Sequence, residues 1–169
     1  MMKETKEWMF SADMTYVSYR SLFIMAHPFL WFDAAYLLHI SIEKYLKTLI
    51  LSFNGRKETG HDLESLFYSA SDLCPDIIYV RNMSILNKLF ACRYPDMKYE
   101  GDGLGEDEFH EGDTVVKTIR QNIPNEITRD SLDHLISLKM DDRHLIIENA
   151  LTKNNPQSEY WENEIRNIE

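Results

Sequence analysis

The feature that most constrains this chain is a set of apolar residues at helical spacing: Ala34, Leu38, Ile42, Tyr45, Leu46 and Leu49. Residues three and four apart share one face of an α-helix, so the pattern predicts a helix over 29–53 with one side buried. Asn54-Gly55 closes it, because glycine tolerates the left-handed conformation that ends many helices. A short polar turn, 56–60, leads to a second helix start at His61-Asp62, followed by Leu63, Leu66, Phe67 and Ala70. Two apolar stripes joined by a short turn need further helices to cover them. The expected fold class is all-α, an up-and-down antiparallel helical bundle.

The rest of the chain fits that expectation. Six glycines and five prolines among 169 residues are too few for an all-β protein built on tight turns. The length suits one bundle with a sizeable core. A first helix is expected over 13–26, capped by Ser11 or Asp13 and carrying Val17, Leu22, Phe23 and Ala26. His27-Pro28 then interrupts the pattern. A fourth helix is expected over 76–92, with Ile77, Val80, Leu86, Leu89 and Phe90 inward. The stretch 97–112 reads as an acidic, glycine-containing loop, and a fifth helix follows over 113–122. Helical patterns over 128–138 and 142–151 and a polar tail with one amphipathic turn at Tyr160 and Trp161 make up the remainder. The expected organisation is a bundle over 1–124 and a C-terminal helical extension over 125–169 packed on it.

Several function classes are excluded or weakened. A net charge of −10 opposes a dedicated DNA binder, whose affinity comes largely from neutralising phosphates, although a local basic patch or a single-stranded RNA ligand stays open. Cys74 and Cys92 have no CxxC partner and read as core thiols in a reducing compartment. The cluster Glu106, Asp107, Glu108, His110, Glu111 and Asp113 matches no calcium-loop spacing and reads as a solvated charge run. No metal and no cofactor are expected. The opening MMKETKEWMF lacks the apolar core of a signal peptide, and no apolar run approaches a bilayer span. A cytoplasmic protein with no membrane partner is the expectation.

Three strings, in order, resemble one family. Ala34-Ala35-Tyr36-Leu37-Leu38 with Ser41-Ile42-Glu43-Lys44-Tyr45-Leu46-Lys47 is similar to the central helix of HEPN domains (higher eukaryotes and prokaryotes nucleotide-binding). Gly60-His61-Asp62-Leu63-Glu64-Ser65-Leu66 is similar to the start of that family's next helix, and Arg93-Tyr94-Pro95-Asp96 resembles the string that follows its fourth. The resemblance spans about 29–122. It implies four or five antiparallel helices, frequent homodimerisation and divided function. Some members are metal-independent ribonucleases; others are non-catalytic partners of minimal nucleotidyltransferases or parts of sensing and antiphage systems, toxin–antitoxin pairs among them. The nuclease members bring an Arg and a His four to six residues beyond it together across a dimer, the Arg holding phosphate charge and the His moving a proton.

One such string stands in this chain, Arg129-Asp130-Ser131-Leu132-Asp133-His134. Its catalytic reading makes His134 the acid–base and Arg129 the phosphate clamp. Five residues turn a helix by about 500°, which leaves the two side chains about 140° apart unless a second subunit helps. Asp130 and Asp133 also make the neighbourhood acidic. Candidate ligand-binding residues are Lys44, Lys47, His61, Arg93 and Tyr94. Each has a plainer alternative: His61 as a helix cap or structural histidine, the lysines as solvated charges or partners of Glu43, Tyr94 as a buried ring under the proline turn, and Arg93 as a cation near a helix C-terminus. The leading expectation is a non-catalytic HEPN-like dimerising module that acts as partner or sensor and binds nucleotide or RNA. The alternative is a HEPN ribonuclease using Arg129 and His134. An interaction protein that docks a basic partner through its acidic loop is a third reading.

Overall fold

The computed structural model describes residues 2–25, 31–79, 83–91, 104–137 and 143–168. Eight α-helices and no strand occur among them. In chain order these are α1 Met2–Ile24, α2 Trp31–Asn54, α3 Leu63–Leu73, α4 Met83–Ala91, α5 Glu106–Arg120, α6 Asn125–Ser137, α7 Arg143–Thr152 and α8 Ser158–Arg166. A 3-10 helix, Pro75–Tyr79, lies between α3 and α4.

α2 is the central element, and its expected stripe is buried throughout: Ala34, Leu38, Ile42, Tyr45, Leu46 and Leu49. Its end is the expected one. Gly55, at φ 70°, donates its N–H to Leu51 O at 3.0 Å and closes the last turn. Asp62 caps α3 by accepting from the Ser65 N–H at 2.9 Å, and Leu63, Leu66, Phe67 and Ala70 face the core. α5 crosses α2 at Gly112, where a Cβ would stand 2.5 Å from Leu38 Cδ2. Glycine there lets the helices approach, at a propensity penalty of about 1 kcal/mol relative to alanine.

Four expected boundaries are corrected. The first helix begins at Met2, not near residue 13, and Asp13 is a buried mid-helix residue rather than a cap. The inward face of α1 includes Thr5, Asp13 and Arg20, so polar residues interrupt the stripe that would have marked it. The expected helix over 76–92 is instead the 3-10 helix and α4; Ile77, Leu86 and Leu89 are buried, and Val80 and the Phe90 side chain lie outside the described residues. α5 starts at Glu106, inside the supposed acidic loop. Glu106, Asp107 and Glu108 sit in its first turn, where carboxylates suit the partial positive charge of the helix start, and Glu108 Oε2 accepts from the Gly105 N–H at 2.9 Å. The polar tail forms α8, with Trp161 buried. No helix of the described residues is long and apolar enough to cross a membrane.

Candidate functional site

Two of the strings set apart in the sequence meet at Glu43. This carboxylate is buried on α2, and Lys47 Nζ, one turn on, donates to its Oε1 at 2.9 Å. His61 Nδ1, from the start of the α3 segment, reaches the same oxygen at 2.9 Å, and His39 Nε2, one turn back on α2, lies 3.7 Å from Oε2. Burial pushes the Glu43 carboxyl up, yet the nearby His39 ring and the bonds from Lys47 and His61 prevail and hold it at about 2. An ionised carboxylate only accepts, so the shared proton of the His61 bond sits on Nδ1. Lys47 also lies 5.9 Å from the Trp8 ring centroid, and Lys57 covers that ring at 5.2 Å. The structure therefore gathers Lys47 and His61 on one buried anion, with Lys47 itself buried and His61 exposed.

Lys44 is elsewhere. It bonds Thr15 Oγ1 at 2.8 Å and reaches Ser11 O at 3.4 Å, tying α2 to α1, and burial lowers its pKa. Arg93 and Tyr94 lie outside the described residues, as does Cys92; Cys74 is buried.

Arg129 and His134 are both exposed on α6 and line different cavities. His134 borders a groove of about 510 Å³ with the first turns of α1, where its ring meets Phe10 edge-on at 4.7 Å. Arg129 borders two others, of about 310 and 160 Å³, with Asp133 in one and Glu164 in the other. Asp130 borders both the first groove and the larger Arg129 cavity, and its Oδ1 accepts from Lys6 at 3.0 Å. The separation agrees with the helical angle expected from their spacing. In the acidic cluster, Glu108 pairs with Lys88 at 2.9 Å, and no group of metal-holding residues occurs among the described ones.

A second polar constellation escaped the sequence reading. α1 carries Asp13 and Arg20 seven residues apart; α5 carries Asp113 and Arg120 at the same spacing. Seven residues is two turns, so each pair points one way, and the two pairs cross-match. Arg20 Nη1 bonds Asp113 Oδ2 at 2.8 Å, and Arg120 Nε bonds Asp13 Oδ1 at 3.1 Å, all four side chains being buried. Tyr16 OH donates to Asp113 and Tyr45 OH to Asp13. Burial pushes the Asp113 carboxyl up to about 6, against Arg20 and the Tyr16 and Tyr19 hydroxyls, which favour its charged form. Residues of the C-terminal third complete the shell. Ala150 O and Lys153 O accept from Arg20; Thr128 O, Tyr160 OH and Glu164 accept from Arg120; Ser131 Oγ donates to Asp13 at 2.6 Å. Trp161 stacks on Tyr16 at 5.3 Å and under Arg120 at 4.8 Å. The matched seven-residue spacing of Asp and Arg was the signal available. With every guanidinium so engaged, the layer is an internal brace and offers no charge to a ligand.

Comparison with known proteins agrees with the resemblance of the three strings. A family model described as "HEPN domain" matches residues 5–124, well over half of the chain. No curated protein and no solved structure matches it.

Proposed function

The chain belongs to the HEPN domain family, and from that premise we propose that it is a non-catalytic, dimerising helical module that acts as a partner or sensor by binding nucleotide or RNA. The observation that carries this reading is the separation of Arg129 from His134. A phosphate clamp and a proton-transfer group must reach one scissile bond together, whereas within one chain these two side chains border different cavities, each with aspartate beside it, and joining them takes a second subunit. Dimerisation is supported by the family match, since pairing is frequent in that family. A nucleotidyltransferase or other protein partner is the further expectation that the family carries.

Incubating the purified protein with single-stranded RNA, without added metal and beside a His134→Ala variant, tests the reading. Intact RNA with both proteins, together with a mobility shift that the variant keeps or loses only in part, is the expected result. RNA cleavage that disappears in His134→Ala would instead establish the ribonuclease alternative.

A further inference from the structure

We infer that the groove between the first turns of α1 and the middle of α6 binds a single nucleobase, guanine in preference to adenine or uracil. Its ring would lie against Phe10 and His134, and its hydrogen-bonding edge on Lys6 and Asp130. The inference rests on the reading of the protein as a nucleotide- or RNA-binding module and names the place and the selectivity of that binding.

The walls are two single-face stripes. Met2, Lys6 and Phe10 recur every four residues on α1, as do Asp130 and His134 on α6. The cavity, about 510 Å³, is within the range of small-ligand sites, and its inner walls are aromatic and aliphatic. Phe10 is half-buried and meets the exposed His134 ring at 69°, so the two rings form a corner against which one planar base can stack. Such stacking is tolerant of base identity. Selectivity must therefore come from the polar groups. The Ser131 hydroxyl is committed to Asp13; of the charged lining residues Lys3, Lys6, Glu7 and Asp130, Lys6 and Asp130 pair between α1 and α6 and so stand where a base edge would meet them.

Lys6 Nζ and Asp130 Oδ1 are 3.0 Å apart at the rim, their side chains 33% and 52% exposed. A pair so exposed contributes little to stability, so exchanging it for a ligand is inexpensive. An ammonium only donates and a carboxylate only accepts. Guanine places a carbonyl oxygen beside two N–H donors on one edge, which gives Lys6 an acceptor and Asp130 two donors. Adenine offers that carboxylate one amino group, and uracil one N–H between two carbonyls. The remaining rim charges disfavour recognition of the phosphate itself. Lys3 faces Glu7 at 4.0 Å, so the two lysines are matched by two carboxylates.

Titrating the full chain with guanosine, adenosine and uridine while following the ring NMR signals of Phe10 and His134 tests the site. Guanosine is expected to shift both rings at lower concentration than adenosine or uridine do. Asp130→Asn, an exposed substitution whose folding a thermal melt verifies, is expected to weaken guanosine binding about tenfold, as loss of one bidentate base contact does. A short single-stranded RNA with one unpaired guanine identifies the source: tighter binding than guanosine marks a base within RNA, equal binding a free nucleoside. Rings unmoved at millimolar guanosine, or an affinity unchanged in Asp130→Asn, would overturn the inference. Guanosine contains no phosphodiester, so this result is independent of whether the protein cleaves RNA.

Discussion

A carboxylate taken out of water is costly unless charged or hydrogen-bonding partners replace its hydration, and Glu43 has the Lys47 ammonium and the His61 ring on one oxygen, with the His39 ring nearby. Its pKa falls from about 4.5 to about 2 on folding. A lowered carboxyl pKa contributes stability that is fully present above the unfolded value and is lost as pH falls through 4.5 toward 2. The size is on the order of 2–3 kcal/mol. Chemical denaturation of the wild type and Glu43→Gln at pH 6 and again near pH 2 checks this: the stability gap between them is expected to shrink by about that amount at the acid end. A gap that does not change with pH would contradict it. In the sequence Glu43 and Lys47 read as an ordinary helix pair, because His61 stands 18 residues away and joins them only through the turn.

At the scale of elements, legibility followed apolar continuity. The stripe of α2 and the cap of α3 were readable because their inward residues are apolar and their punctuation is local. In the sequence α1 reads short because Ser11 and Asp13 look like helix caps and Thr5 interrupts the inward face before them, and α5 reads partly as a loop because its first turn is acidic. Both helices depend on partners distant in sequence. Arg20 donates to Ala150 O and Lys153 O, and Arg120 to Thr128 O, Tyr160 OH and Glu164, all beyond the end of the family match at residue 124. Stripping partners from a buried charge is destabilising by about 3–5 kcal/mol, comparable with the whole stability of many domains. A chain ending at residue 124 is therefore expected to lose its cooperative thermal transition by circular dichroism, while the full chain keeps one. A sharp transition in the shortened chain at the same temperature would refute this.

For the whole molecule, the all-α fold and the HEPN family were legible in residues 34–67, where stripe and motif coincide. The site was less so. Arg129 and His134 are close along the chain, and closeness along a helix says nothing of which faces two side chains occupy until the angle is counted. The central claim is that no catalytic pair assembles from them. A crystal structure of the assembled protein tests it most directly. We predict that the Arg129 guanidinium and the His134 imidazole, from one chain or from two, border separate clefts; both side chains converging on a single cleft at the subunit interface would contradict the account.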